Sequence, residues 1–194
     1  QGVRHFGENR VEEAEAKIPA VLASLEDEPI IWHMIGHLQS RKAATAVGLF
    51  HMVHSVASRK LANRLDRFMA ETRPDEKLPI LLEVNISGEA SKYGYAASDP
   101  ATQEAFIAEA ARFAEFEHLE VRGLMTMAPI VQDPEQARPV FRGLRELRDR
   151  LREAAPFSLW QDLSMGMTDD YPVAIEEGAT IIRVGRAIFG PSTY

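Results

Sequence analysis

Near the C-terminal end of the chain, a hydroxyl, two glycines and two arginines follow two neighbouring predicted strands. In the segment DLSMGMTDDYPVAIEEGATIIRVGRAIFG, Ser164 and Gly166 lie where the first strand ends. Gly185 and Arg186 follow the second strand, on which Arg183 lies. Backbone N–H groups in such turns suit an anion, and an arginine adds a fixed cation. These residues alone leave two interpretations open: a phosphate site, or tight turns with Arg183 paired to a carboxylate.

Strand-like runs recur along the whole chain and alternate with segments of helical spacing. The alternation predicts parallel strands joined by right-handed crossovers, in an α/β fold. Strands are predicted at His5–Glu8, Ile31–Ile35, Met52–Val56, Ile80–Ile86, Val121–Met127, Asp162–Met165 and Thr180–Val184. Apolar helix faces are predicted at Val11, Ile18, Val21, Leu22 and Leu25, at Leu61, Leu65, Phe68 and Met69, and at Val140, Phe141, Leu144, Leu147 and Leu151.

Small and polar residues gather at the end of every predicted strand, which distinguishes a barrel from an open sheet. In an open sheet only the switch point carries such residues, whereas all strands of a barrel end at one common mouth. The sequence therefore predicts a (β/α)₈ TIM barrel forming a single domain over residues 1–194. A barrel of this type has eight strands, so the seven runs above leave one strand unaccounted for.

The histidines in the first half of the chain suggest two further sites, which the strand geometry argues against. His33 and His37 are four residues apart, but a strand-to-loop transition between them breaks the helical geometry of a two-histidine metal site. His54 beside Ser55 suggests a base and a nucleophile, yet adjacent strand side chains point to opposite faces. We expect no metal site, and we expect His54 to line the barrel and form a structural hydrogen bond.

Composition excludes several classes of function. The chain of 194 residues has a formal net charge of −7, which disfavours a surface for nucleic acid. It has no cysteine, which excludes disulfides, thiolate metal ligands and thiol nucleophiles. No apolar run approaches the roughly 20 residues that span a bilayer. We expect a cytoplasmic protein with neither nucleic acid nor membrane as a partner.

Six motifs spread along the chain carry a resemblance to a known family. They are the C-terminal segment quoted above and FGENRVEEAEAK, WHMIGHLQSRK, HSVASRKLA, LLEVNISGEASKYG and VRGLMTMAP. In this order they resemble the pyridoxal phosphate homeostasis protein family. The resemblance implies a barrel like the N-terminal domain of alanine racemase, of pyridoxal phosphate fold type III.

The resemblance implies a pyridoxal 5′-phosphate site at the matching positions. Ser164 would bind the phosphate through its hydroxyl, Arg183 would face the pyridine nitrogen, and Asn9 would lie close to the ring. An arginine does not readily give up its proton, so the ring nitrogen would stay unprotonated and the ring would be a weak electron sink. Backbone N–H groups complete the phosphate site at Met165, Gly185 and Arg186.

The family forms a Schiff base with its cofactor through a lysine at the end of the first strand, and this sequence shows no such motif. The sequence begins where a second strand would, so we expect that lysine upstream of Gln1, on a segment of roughly 30 to 45 residues. We therefore assign no residue of this sequence as catalytic, and we do not expect the cofactor to be attached covalently to one of its residues.

Other lysines are weaker candidates for holding the cofactor. Lys17, Lys60 and Lys77 lie on helices or before a strand, where we expect them to be solvated. Lys42 and Lys92 lie on the mouth side, and Lys92 is the better candidate for a secondary site. An exposed lysine is rarely deprotonated at neutral pH and so rarely attacks an aldehyde.

The expected function is a carrier in vitamin B6 homeostasis, which sequesters pyridoxal phosphate and passes it to apo-enzymes. We expect a monomer or a weak dimer without an established catalytic activity. Two alternatives remain: a racemase-like enzyme on the same scaffold, or a phosphate-binding remnant that forms no Schiff base. Racemases of this fold add a β-rich domain, for which the four residues between RAIFG and the end at Tyr194 leave no room.

Overall fold

The computed structural model describes residues 2–25 and 29–190. Gln1 and residues 26–28 and 191–194 lie outside the described residues. The expectations based on Gln1 and on Tyr194 therefore also lie outside the described residues. The strands of the described part are β1 His5–Glu8, β2 Ile31–Met34, β3 Met52–Val56, β4 Leu78–Asn85, β5 Tyr95–Ala96, β6 Leu119–Met125, β7 Asp162–Met167 and β8 Ile181–Arg183.

The strands form a nearly closed parallel barrel. Their order is β1-β2-β3-β4-β6-β7-β8, and each neighbouring pair is parallel. This order confirms the predicted TIM-type α/β fold, with seven strands in the main path. Within the described residues, β1 and β8 pair on one side only and not with each other. The sequence did not predict β5, a two-residue strand that pairs with β4 alone.

Helices cover the outside of the barrel, and their apolar stripes explain most of their positions. On the first helix Val11 and Ile18 are buried in the core, as predicted, but Leu22 and Leu25 are 49% and 41% exposed, so the predicted face is wrong at these two positions. The helices are α1 Val11–Ser24, α2 Ala43–Leu49, α3 Arg59–Thr72, α4 Pro100–Ala111, α5 Arg138–Ala154, α6 Tyr171–Glu176 and α7 Arg186–Phe189. The whole predicted stripe of α5 is buried: Val140, Phe141, Leu144, Leu147 and Leu151.

Helix α4 begins at a complete capping box, with Asp99 as the N-cap and Pro100 in the first turn. The Asp99 side chain accepts hydrogen bonds from the amides of Ala101 and Thr102, at 2.9 and 3.0 Å. The Thr102 hydroxyl in turn accepts from the Asp99 amide at 3.2 Å. Such caps contribute about 1 kcal/mol each, so the chain fixes this helix start locally.

The apolar core has two layers, one on each face of the sheet. The large outer layer lies between sheet and helices and includes Phe141 and Trp160, both fully buried. A small inner layer fills the barrel with Met52, Leu81 and Met125. Polar side chains of the same strands also face the barrel interior, and they form the site described below.

A close approach of β6 and β7 sets the position of Ser164. A Cβ on Gly123 would lie 1.9 Å from the carbonyl oxygen of Asp162, so only glycine fits there. Gly123 pairs with Asp162 and Met125 pairs with Ser164 in the parallel register. The absent side chain therefore lets β7 lie against β6 and fixes the height of Ser164 in the barrel.

Candidate functional site

A continuous row of hydrogen-bonded side chains crosses the barrel interior. His5 Nδ1 lies 2.9 Å from His33 Nε2, and His33 Nδ1 lies 2.9 Å from His54 Nε2. His54 Nδ1 lies 2.9 Å from Ser164 Oγ, which also accepts a hydrogen bond of 2.7 Å from Arg183 Nη1. We call these five side chains the interior row; they come from β1, β2, β3, β7 and β8.

Strand alternation and barrel stagger together build this row. Side chains next to the histidines, such as Phe6, Trp32 and Val53, point outward and join the outer core. His33 is paired in register with Gly7 and Met52, not with the histidines it contacts. The row therefore runs diagonally across strands that are staggered, as a barrel requires.

Burial keeps the two inner histidines uncharged at neutral pH. Desolvation lowers the pKa of His33 to about 4, and the charges of neighbouring groups, His5 first among them, add to this effect. Desolvation also lowers the pKa of His54 well below its ordinary value, with His33 and Arg183 contributing in the same direction. Each of these rings thus carries one hydrogen, on either Nδ1 or Nε2.

Arg183 brings the row its positive charge. Besides its bond to Ser164, its Nη2 donates to the carbonyl oxygen of Thr126 at 2.9 Å, and the Thr126 hydroxyl donates to the carbonyl of Val84 at 2.7 Å. Burial lowers the pKa of Arg183 to about 10, so the guanidinium still carries its charge at pH 7. The bonds to Ser164 on β7 and to Thr126, the residue after β6, hold the Arg183 side chain in place.

Glu83 on β4 supplies a buried carboxyl that the rest of the structure leaves partly unpartnered. The residue is only 2% exposed, and its Oε2 atom has no hydrogen-bond partner among the described residues. Desolvation raises the pKa of Glu83 to about 7, while the charge of Arg183 opposes the rise. Near neutral pH this carboxyl can therefore hold or release a proton beside a fixed cation.

The structure brings only part of the predicted site together. Ser164 and Arg183 are in direct contact, although Ser164 is fully buried and its hydroxyl is already engaged. Met165 is fully buried, with its side chain among the residues of the outer core. Arg186 is exposed and forms an ion pair with Asp169.

Asn9 and Gly185 lie at the strand ends, as predicted, and both are exposed. A Cβ on Gly36 would lie 2.2 Å from the carbonyl oxygen of Asn9, so the loop after β2 packs directly on this residue. Among the described residues, no atom beyond the two chain neighbours lies within 4 Å of the Cβ position of Gly185, so this side of the residue is open. The hydrogen bonds of the described residues do not link Asn9 to Ser164 or Arg183.

Among the described residues, no lysine is hydrogen-bonded to a side chain of the interior row. Lys17 binds the Glu8 carboxylate at 2.8 Å, and Lys42 pairs with Glu12 at 3.1 Å. Lys92 is partly buried at the mouth, where its Nζ donates to the carbonyl of Ala128 at 3.4 Å. The secondary site predicted at Lys92 remains a prediction.

His5, His33 and Glu83 were not among the predicted site residues. Sequence reasoning considered His33 only as a metal ligand, and it did not single out Glu83. The sequence did contain a signal for Glu83, which is the charged residue inside the otherwise mostly apolar run LPILLEVN. A carboxylate in a buried strand needs a partner or a raised pKa, so its presence there indicates a special environment. His54 lines the barrel and is hydrogen-bonded, as predicted.

The donor set at this end of the barrel fits a phosphate-bearing ligand. A hydroxyl, a partly buried cation and the exposed backbone at Gly185 are the groups that proteins use to bind phosphate. A cleft of about 290 Å³ lies at the opposite end of the barrel, lined by Lys77, Glu120 and Arg122 among others. In residues 2–25 and 29–190, no cluster of His, Cys, Asp and Glu side chains is arranged to hold a metal ion.

Comparison with known proteins first places the chain in a class of barrels. Residues 1–193 match the family described as "Alanine racemase, N-terminal domain". Alanine racemase of Clostridium difficile 630 shares the fold at 11% identity, with a TM-score of 0.73 over 99% of this chain and 46% of its own. The chain is thus a barrel of the alanine racemase N-terminal type.

Relatives of higher identity define the family. The pyridoxal phosphate homeostasis proteins of Aquifex aeolicus and Pseudomonas aeruginosa are 38% and 41% identical to this chain, over 193 and 197 residues. Both alignments cover 100% of this chain, with 79% and 76% of the relatives. PipY of Synechococcus elongatus PCC7942, solved with PLP bound, has a TM-score of 0.83 and 40% identity over 97% of this chain and 82% of its own. This chain belongs to the pyridoxal phosphate homeostasis protein family.

No helix in the described part of the chain is both long and apolar enough to cross a membrane.

Proposed function

We propose that this chain binds pyridoxal 5′-phosphate at the barrel mouth and acts in vitamin B6 homeostasis. The observation that carries the proposal is the contact between Ser164 and Arg183, on neighbouring strands β7 and β8, in a barrel of this family. These are the two residues to which the family resemblance assigned the phosphate and the ring nitrogen.

The phosphate lies at the β7 and β8 ends in this proposal. Ser164 donates its hydroxyl to a phosphate oxygen, and the backbone at Gly185 and Arg186 provides amide donors from the exposed turn. The open space in front of Gly185 supports this assignment, because a ligand can approach the backbone there. The amide of Met165 remains a proposed fourth donor.

Arg183 orients the ring in this proposal. Its side chain is held by Ser164 and by the carbonyl of Thr126, so it presents its remaining N–H groups in a fixed direction. Because a guanidinium only donates hydrogen bonds, it keeps an accepting ring nitrogen unprotonated. When bound, pyridoxal phosphate supplies an aldehyde that reacts with amines. An arginine partner favours holding that group over strong carbanion chemistry.

The proposal extends to handing the cofactor over to apo-enzymes. The site is at the mouth of the barrel, with Asn9 and Gly185 exposed around it, so a ligand can leave without unfolding of the core. Lys92 lies at the same mouth and is the proposed secondary site on the exit path. A monomer or a weak dimer is sufficient for this role.

Equilibrium dialysis against pyridoxal 5′-phosphate tests the proposed site. Ser164→Ala should weaken binding by about 1 to 3 kcal/mol, the contribution of a hydrogen bond to a charged group. Ser24→Ala, at the exposed end of α1, is the matched control and should bind like the wild type. Equal affinity of Ser164→Ala and wild type would refute the phosphate assignment.

The absorbance spectrum of the bound cofactor tests the role of Arg183. Arg183→Gln removes the charge and should shift the absorbance of the bound cofactor, because the ring nitrogen loses its charged donor. A spectrum identical to that of the wild type at saturating ligand would show that Arg183 does not face the ring.

A further inference from the structure

The cleft at the end of the barrel opposite the mouth combines an apolar floor with two cations. It has a volume of about 290 Å³ and lies among the N-terminal ends of β4, β6 and β7. Phe113, Phe116 and Leu119 form its floor and are themselves almost fully buried. Lys77 and Arg122 line its polar side. A concave apolar surface with a few polar groups is the usual form of a small-molecule site, and this volume is near the lower limit of such sites, roughly 300 Å³.

The two cations of the cleft have hydrogen-bond donors that the rest of the chain does not use. Arg122 forms an ion pair with Asp162, in which Nε lies 2.9 Å from Oδ2. Within residues 2–25 and 29–190, no hydrogen bond occupies the two Nη atoms of Arg122, and Lys77 Nζ has neither a hydrogen bond nor an ion pair. A guanidinium edge and an ammonium group are the donors that a carboxylate accepts from best.

The charge of the cleft favours an anion with a single charge. Glu120 lines the same cleft and is exposed, so it offsets one of the two cations. Asp162, which does not line the cleft, offsets part of the charge of Arg122. The positive charge that is left matches one carboxylate. A phosphate dianion would bring a charge that the cleft does not balance, beside the carboxylate of Glu120.

A strained loop forms the exposed wall of the cleft. Trp160 has a φ of 47°, and no other non-glycine residue of the described part has a positive φ, which is unfavourable for a bulky side chain. Its indole Nε1–H donates to the carbonyl of Ala155 at 2.7 Å, and its amide donates to Ser158 Oγ at 3.2 Å. These bonds hold the loop so that Phe157 and Leu159 stay 40% and 78% exposed at the cleft. Such strain persists where the surrounding structure imposes it, and it is concentrated at functional sites.

We propose that this cleft binds a small monocarboxylate with an apolar body, such as an arylalkyl acid. The carboxylate accepts from Lys77 Nζ and from the Nη atoms of Arg122, and the apolar body covers Phe157 and Leu159. Binding removes these two exposed side chains from water and gives the unused donors a charged acceptor. The inference goes beyond the proposed function and does not depend on it, because none of the residues assigned to pyridoxal phosphate lines this cleft.

Isothermal titration calorimetry with phenylacetate tests the inference. We expect saturable binding with a Kd on the order of 1 mM, as befits a ligand of this size. The uncharged 2-phenylethanol has the same ring and chain length, and acetate has the charge without the ring. Each should bind at least about tenfold more weakly, since each lacks one of the two contacts. Saturating pyridoxal 5′-phosphate should leave the Kd of phenylacetate unchanged.

Two variants at exposed positions locate the binding site. Lys77→Gln and Leu159→Ala should fold like the wild type, and each should raise the Kd of phenylacetate about threefold or more. Lys60→Gln on α3 and Leu22→Ala on α1 are the matched controls, because both residues are exposed and neither lines the cleft. Both controls should bind phenylacetate like the wild type.

Four results would overturn the inference. They are no saturable binding of phenylacetate, equal binding of 2-phenylethanol or acetate, displacement of phenylacetate by pyridoxal phosphate, and an unchanged Kd in both Lys77→Gln and Leu159→Ala. Dialysis against pyridoxal phosphate decides the proposed function separately, so a failure of one leaves the other standing.

Discussion

Glu83→Gln should stabilise the protein at alkaline pH and leave its stability unchanged at acidic pH. Burial raises the pKa of this carboxyl from its ordinary 4.5 to about 7 in the folded state. Between these two values the folded protein binds the proton more tightly than the unfolded chain. The free energy of unfolding therefore falls as pH rises through this range, and the cost of the buried carboxylate is fully present above it.

The size of the effect follows from the difference between the two pKa values. Each pKa unit corresponds to about 1.4 kcal/mol, so the difference between 4.5 and about 7 costs about 3 kcal/mol at pH 8. Glutamine has nearly the same shape and cannot ionise, so Glu83→Gln should gain about 3 kcal/mol over the wild type at pH 8 and nothing at pH 4.5.

Urea unfolding at both pH values measures this difference. Trp32 and Trp160 are both buried, so their fluorescence reports loss of the core. Glu120→Gln, on the exposed face of β6, is the control and should change stability little at either pH. An equal gain for Glu83→Gln at both pH values, or no gain at pH 8, would refute the assignment of a desolvated carboxyl.

Two further predictions concern neighbouring groups. Burial lowers the pKa of His33 from its ordinary 6.5 to about 4, so the free energy of unfolding should fall by about 3 kcal/mol as the pH drops from above 6.5 to 4. In urea unfolding, His33→Gln should lose clearly less free energy of unfolding over the same pH range. An equal loss in variant and wild type would contradict the assignment. Thr126→Val removes the buried 2.7 Å bond to the carbonyl of Val84 and should cost about 1 kcal/mol in the same assay, whereas an unchanged midpoint would show that this bond contributes nothing.

Elements with a strong local signal were predictable from the sequence. The apolar stripe of α5 recurs at helical spacing, and all of its predicted residues are buried. Asp99 and Pro100 are a cap and a first-turn residue, and α4 begins there. Each of the seven predicted runs overlaps a strand of the barrel, because buried parallel strands are short apolar segments between helices.

The interior row was beyond sequence reasoning because it depends on how neighbouring strands are staggered. Alternation along one strand indicates that His33 and His54 can face inward. It does not indicate that His33 contacts His54 rather than its register partner Met52. The buried position of Ser164 is missed for the same reason, since a strand-end hydroxyl looks accessible in the sequence.

A crystal structure of the protein grown with pyridoxal 5′-phosphate tests the central claim most directly. The account predicts the phosphate within hydrogen-bond distance of Ser164 Oγ and the Gly185 amide, with the ring nitrogen facing Arg183. A cofactor found instead in the cleft at the opposite end of the barrel, beside Lys77 and Arg122, would contradict it.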